Sequence, residues 1–407
     1  MYKIETNRGN FYYDQTRNQF VKEADKWMLC QKPATFFDQK VNVGNYGYSF
    51  NENVYSPEKV QVLEIGLGLR CNYECKHCFQ AKERETNDYV EGNPDMVEPL
   101  IDKLRNANLF NLCKIDLWGG EPFVYWKTLI RLVPKLRSLY PNVMIRIVTN
   151  GSVLTKEMVD FCFVYGVQVE ISMDANHNDL RITPVEQDNF DVLSYAFQHH
   201  GFKAKPTITP SNCNVDECFD YIRTKFNRNM PIVGRGIIRG TNEENLKHSK
   251  FTKEQLDTLA KTVYDAGIFH MHTSIHSDVE CYKTRIECGV TPYESTGVCG
   301  TPVCRQMMIN MRGDVLRCHQ NCGKDEIIGN LENIFDGKHT PIKFYSWWER
   351  PKCVRCIHVA SCGGGCPRQS PEAHENYCEA RKAYFDGIMR LFFKFYYDAE
   401  VLSVTEC

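Results

Sequence analysis

The sequence has no long hydrophobic run. None of its apolar stretches approaches the roughly 18 uninterrupted residues that a membrane-spanning helix needs, and residues 1–10 contain no apolar core of the secretory type. Net charge is almost absent: 49 Lys and Arg against 51 Asp and Glu leave −2 over 407 residues. That balance gives no electrostatic reason to expect nucleic acid or an anionic membrane as partner. Internal repeats and low-complexity tracts are also missing, which sets aside solenoids and linker-like disorder. A composition of 43% hydrophobic and 25% charged residues is that of a folded globular protein. The expectation is a soluble, cytoplasmic protein of two or three domains, or one large barrel with an appendage.

Cysteine is what the sequence has in excess, 20 in all. Small secreted scaffolds spend cysteines on bridges, whereas a long chain without an export signal keeps its thiols reduced, so clustered cysteines read as metal ligands. Their spacing decides which metal.

Residues 1–60 hold a hairpin around Asn7-Arg8-Gly9-Asn10 and then a polar stretch, too little for a complete domain. From residue 62 strand-like and helix-like runs alternate, the pattern of parallel βαβ units. Strands are expected at Val62–Gly68, Lys114–Trp118, Val143–Thr149, Val167–Met173, Lys203–Thr209 and Ile232–Ile238. A helix over Asn93–Asn108 has Asn93 as cap, Pro94 in its first turn and Val97, Leu100, Ile101 and Leu104 on one face. Others start at Thr155 and Thr252. Six such units predict an α/β fold with a partial (β/α)6, TIM-like barrel over residues 61–280, followed by a cysteine-rich region over 281–407 ending in a helix.

The first cysteine group, Cys71, Cys75 and Cys78, has C-x3-C-x2-C spacing directly after the first barrel strand. Three thiolates on one tight loop suit three irons of a [4Fe–4S] cube and leave the fourth iron open. A structural zinc would want a fourth donor, for which His77 is the nearest candidate. This loop resembles the signature of the radical S-adenosylmethionine (SAM) enzymes, in which the open iron is chelated by SAM. The resemblance extends to Gly119-Gly120-Glu121-Pro122 after the second strand, where the family holds the SAM amino group and where Glu121 suits an ammonium. It extends also to Thr149-Asn150-Gly151 and to Ser172-Met173-Asp174, similar to positions that touch the ribose and carboxylate of SAM, and to Arg181 as a donor to that carboxylate. The plainer reading of these polar residues is turn and cap chemistry.

The C-terminal cysteines run Cys299-x4-Cys304, then Gly313-x4-Cys318, then Cys353-x2-Cys356-x5-Cys362-x3-Cys366, and Cys378. Eight thiols are enough for two four-cysteine sites, and strands at Met307–Met311 and Val315–Cys318 would return Cys318 beside Cys304. Zinc ribbons use similar spacings. The order resembles the SPASM extension of radical SAM enzymes, which carries two auxiliary [4Fe–4S] clusters. That match implies Cys299, Cys304, Cys318 and Cys366 for one cluster, and Cys353, Cys356, Cys362 and Cys378 for the other. Cys113, Cys162 and Cys213 read as small core or incidental thiols, while Cys322 lies close enough to Cys318 for ligand exchange.

The resemblance spans about residues 62–395. It implies reductive cleavage of SAM to a 5′-deoxyadenosyl radical, hydrogen abstraction from an unactivated C–H bond, and oxidation with the auxiliary clusters as electron sink. In sulfatase-maturing members the residue after the matching cysteine is an Asp base. Here it is His319, which titrates near neutrality and serves either as base or as a hydrogen-bond donor to sulfur. Most enzymes of this architecture modify peptides or proteins, through crosslinks, thioethers or related maturation of ribosomal peptides. The implied partners are a peptide or protein substrate, a low-potential electron donor of flavodoxin or ferredoxin type, and a separate leader-peptide adaptor where residues 1–60 do not suffice. A small-molecule dehydrogenase or epimerase, or a zinc or iron–sulfur interaction module without radical chemistry, are the other readings.

Overall fold

The computed structural model describes residues 1–15, 17–25, 54–86, 88–177, 179–181, 189–226, 230–233, 236–237, 246–271, 273–289, 299–318, 322–337, 347–369 and 371–407. The chain opens with antiparallel strands β1 (Tyr2–Thr6), β2 (Gly9–Asp14) and β3 (Gln19–Lys22). Five parallel strands follow, β4 (Val62–Gly66), β5 (Lys114–Trp118), β6 (Met144–Thr149), β7 (Val167–Met173) and β8 (Phe202–Pro206). Then come β9 (Gln306–Asn310), β10 (Asp314–Leu316), β11 (Ile327–Asn330) and β12 (Val401–Glu406).

The strands alternate as a half-buried sheet should. Leu63, Ile65, Ile115, Leu117, Ile145, Ile147, Val169 and Ile171 point outward and are almost inaccessible. They are covered by helices α1 (Val97–Ala107) and α2 (Trp126–Leu139), among others, whose Leu100, Leu104, Leu129, Leu132 and Leu136 belong to the same core. At roughly 1.5–3 kcal/mol per buried aliphatic side chain, this interface holds the sheet in shape. Capping agrees with the sequence: Asn93 accepts from the Asp95 amide, Thr155 from Met158, and Thr252 forms a capping box with Gln255.

The α/β class and the parallel sheet of the expected partial (β/α)6 barrel are present, and the sheet is not closed. Of the expected sixth strand, Ile232–Ile238, residues 234, 235 and 238 lie outside the described residues, and Ile232 and Ile237 bridge in parallel to Ala204 and Ile208. Two strand pairings cross the expected boundaries. β9 pairs in parallel with β4, from Val62↔Gln306 to Gly66↔Asn310, so one sheet in the order β11-β10-β9-β4-β5-β6-β7-β8 crosses the expected division at 280/281. Likewise β1 pairs with β12, so the N-terminal hairpin and the end of the chain share a four-stranded sheet, β12-β1-β2-β3. Both pairings join residues hundreds of positions apart, and no local pattern announces them.

The terminal sheet is fixed to the body by aromatic packing against the long helix α3 (Pro371–Tyr397). Phe393 meets Phe11 edge-on with ring centroids 5.0 Å apart and Phe20 at 5.6 Å. Phe393→Ala should therefore lower stability by about 3–5 kcal/mol, read by anaerobic urea unfolding. A loss below about 1 kcal/mol would show that the terminal sheet does not rely on this contact.

Candidate active site

The carboxyl ends of β4 to β7 surround a cavity of about 370 Å³ whose wall carries Cys71, Cys75 and Cys78. The chain reaches these cysteines from β4 through Gly68–Arg70, and that segment lies against the turn after β5. Gly120 N donates to Gly68 O at 3.1 Å, Glu121 N to Arg70 O at 2.9 Å, and Leu67 N to Trp118 O at 2.8 Å. A Cβ on Gly120 would stand 2.3 Å from the carbonyl oxygens of both Leu69 and Arg70, and one on Gly119 2.3 Å from Gly68 O. The glycine pair thus lets two backbones touch, and the contact aims the cysteine loop.

Glu121 has a role the sequence did not reveal. Glu121, matched in sequence to the position that holds the SAM amino group, is 1% exposed. Oε1 accepts from Thr149 Oγ1 at 2.6 Å and from Phe123 N at 3.1 Å, and Oε2 accepts from Asn150 N at 2.7 Å. Burial raises its carboxyl above the usual range, and these donors oppose the rise. The side chain ties the turn after β5 to the end of β6.

Asn150 continues the brace. Its Nδ2 donates to Asn72 Oδ1 at 3.0 Å, inside the cysteine loop. At the end of β7, Arg181 donates from Nε to Asp174 Oδ1 at 2.9 Å and from Nη2 to Ser172 Oγ at 3.0 Å and Thr207 Oγ1 at 3.2 Å. Gly119, Gly120, Thr149, Asn150, Ser172 and Arg181 all border the cavity. Asp174 stands behind Arg181 and orients it.

The donors fit an iron–sulfur cube with an exchangeable ligand beside it. Burial raises the Cys71 thiol and pushes Cys75 up to about 11, with Arg181 pulling Cys75 back. Coordination to a metal deprotonates such thiols outright. Two buried polar atoms next to the cavity, His77 Nδ1 and Asp174 Oδ2, have no hydrogen-bond partner among the described residues. Burial takes His77 down to about 4, so its ring is neutral.

The profile of the Radical SAM superfamily matches residues 65–199, the span that holds this loop and all three strand ends. Residues 65–199 are a radical SAM domain. Its curated relatives include the radical SAM cyclopropyl synthase TigE of Paramaledivibacter caminithermalis, 23% identical over 76% of this chain and 68% of that one. They also include GTP 3′,8-cyclase of Helicobacter pylori, 25% identical over 50% of this chain and 63% of that one. Among solved structures, native anSMEcpe with bound AdoMet and the Cp18Cys peptide superposes with a TM-score of 0.58 at 18% identity, covering 82% of this chain and 98% of that one.

In this radical SAM chain the inward face of the sheet is charged. Arg146 Nε and Nη2 hold Asp116 at 2.8 and 2.9 Å, Arg146 Nη1 meets Glu170 at 3.0 Å, and Lys205 meets the other Glu170 oxygen at 3.0 Å. Closed barrels fill this space with branched apolar side chains. Here Asp116, Arg146 and Lys205, with Glu64 and Trp118, line the cavity. Sequence reasoning missed them, although the alternation of charged with apolar residues in β5 to β7 was a usable signal.

Several of the cysteines beyond residue 298 lie near one another. Cys366 is among the charges acting on Cys299, and the buried Tyr55 hydroxyl lies in the field of Cys299, Cys304 and Cys318. Cys378, Cys362 and Cys356 all lie near enough to Cys353 to act on its thiol electrostatically. Between Cys362 and Cys366 the chain turns through three glycines with φ of 65°, 80° and 76°, the left-handed region that glycine adopts without strain. Arg350 donates to Cys366 O at 2.8 Å and to Gln369 O at 3.2 Å. Arg381 Nε donates to Cys362 Sγ at 3.3 Å. His319 lies outside the described residues.

Two substitutions separate the brace from the ligands. Gly120→Ala should displace the cysteine loop and lower reconstituted iron by about four per chain, measured by iron assay; full occupancy would show that the loop does not need this contact. Glu121→Ala strands three buried donors and should cost about 3 kcal/mol or more, read by thermal unfolding of the iron-free protein.

Proposed function

We propose that this radical SAM enzyme oxidatively modifies a side chain of a peptide or protein and works with three [4Fe–4S] clusters. The observation that carries the reading is the convergence of Cys71, Cys75, Cys78, the Gly119-Gly120 turn and Arg181 on one cavity, with charged side chains in its lining. Cys71, Cys75 and Cys78 hold the first cluster, and the strand-end residues border the SAM site. When bound, that cluster and SAM supply a 5′-deoxyadenosyl radical. The side chains do the rest. Arg181, fixed by Asp174, is a ready donor to a carboxylate. The Asp116–Arg146–Glu170–Lys205 ladder offers fixed charges that orient a polar substrate group below it. Oxidation releases a proton, and His319, next to Cys318, is the base this reading assigns.

The two C-terminal groupings support auxiliary clusters of the SPASM type, Cys299, Cys304, Cys318 and Cys366 for one and Cys353, Cys356, Cys362 and Cys378 for the other. The peptide substrate is supported by the likeness in fold to anSMEcpe, which was solved with a peptide bound. A low-potential carrier of flavodoxin or ferredoxin type provides the reducing electron. The second reading, a small-molecule substrate, is favoured by the likeness to GTP 3′,8-cyclase and by the charged cavity lining.

Metal analysis tests the core of the proposal. Anaerobically reconstituted protein should hold about 12 iron and 12 sulfide per chain, and the Cys71, Cys75 and Cys78 triple Ala variant about eight iron with no deoxyadenosine formed from SAM. Four iron with two zinc would remove the auxiliary clusters, and undiminished SAM cleavage by the triple variant would remove the radical mechanism.

A further inference from the structure

A second cavity, of about 1000 Å³, shares no lining residue with the active site. It opens between the terminal sheet, the helix α3 and the segment Lys352–Ile357, with Tyr2, Val401 and Ser403 on one wall and Cys356 and Cys378 on another. Its charge is one-sided. Five cations line it, Lys261, Lys352, Arg355, Lys382 and Arg390, against Asp257, Glu379 and Asp386. Most of the acids are already committed: Glu379 is paired with Lys352 at 3.0 Å, and Asp386 accepts from His358 at 2.7 Å. Lys261 has its own partner, Asp265. Arg355, Lys382 and Arg390 are exposed and have no side-chain partner among the described residues, and Asp257 is the one lining acid in the same position. Three uncommitted cations thus face one uncommitted carboxylate.

The positive charge also sits beside sulfur. Lys382 acts electrostatically on both Cys356 and Cys378, and Arg355 directly precedes Cys356 in the chain. Two of the four thiols of the last cysteine group therefore lie on the wall of a basic, solvent-open cleft.

We propose that this cleft is the docking site of a small acidic one-electron carrier of the flavodoxin or ferredoxin class, which in its reduced form gives one electron to the cluster of Cys353, Cys356, Cys362 and Cys378, is itself left oxidised by one electron, and so supplies, by way of the other clusters, the electron that cleaves SAM. The inference rests on the reading that Cys356 and Cys378 ligate an iron–sulfur cluster. Electron-transfer encounters bury little area and are steered by opposite charge, with an exposed route to the redox centre. An uncompensated cationic rim above two cluster thiols offers both. A second copy of this chain is the wrong occupant, because a two-fold contact would set the same cations against themselves.

The test uses the full-length reconstituted protein and a bacterial flavodoxin. The wild type should bind flavodoxin in 50 mM salt, measured by titration calorimetry, and lose affinity steeply as salt is raised. The double variant Lys382→Glu, Arg390→Glu should bind at least about tenfold more weakly and slow flavodoxin-driven SAM cleavage in proportion. Cleavage driven by dithionite, which needs no docking surface, should stay at the wild-type rate with full iron content. Asp257→Asn, which removes the opposing charge, should tighten binding, so the proposal does not depend on damage alone. Salt-independent binding, unchanged affinity in both variants, or equally tight binding of a polyglutamate peptide would overturn it. If the wild type cleaves no SAM even with dithionite, the proposed function fails while the binding titration still judges the cleft.

Discussion

Two backbones touch where the chain leaves β4 and where it leaves β5, and the site is built on that contact. Gly119 and Gly120 bring the second turn against the carbonyls of Gly68, Leu69 and Arg70. The turn then donates two amide hydrogen bonds to the segment that leads into Cys71. A cluster-binding loop of eight residues has little core of its own. It holds its shape because neighbouring strand ends hold it: Glu121 locks the turn to Thr149 and Asn150, and Asn150 reaches back to Asn72. The circuit is closed by hydrogen bonds to buried groups, each costly to leave unpaired.

The second organising feature is the polar inward face of the sheet. An open half-barrel cannot hide its interior as a closed one does, and this chain fills the space with paired charges. The Asp116–Arg146–Glu170–Lys205 chain shares each carboxylate between neighbours, which lowers the desolvation cost that isolated buried ions would carry. Fixed charges in the cavity lining need no rearrangement to orient a polar ligand, which is the sense in which such a lining is preorganised.

The C-terminal region is bound to the barrel by the sheet itself. Because β9 pairs with β4, the strand that launches the first cysteine loop also neighbours the strand that follows Cys304. The run of three left-handed glycines then separates Cys362 from Cys366.

The sequence by itself determined the α/β alternation, the starts of the major helices, and the cysteine spacings that named the chemistry. These are local properties: a 3.6-residue or two-residue period, a capping side chain, and ligands within one loop. Val167–Met173 and Lys114–Trp118 were legible to the residue. Only the tertiary structure decided that Glu121 faces inward, that the charged residues of β5 to β8 pair into one ladder, that β9 lies beside β4, and that the two ends of the chain form one sheet. Each of these depends on which distant segments become neighbours. That choice is made by burying the whole apolar surface at once, and no short stretch of sequence carries it.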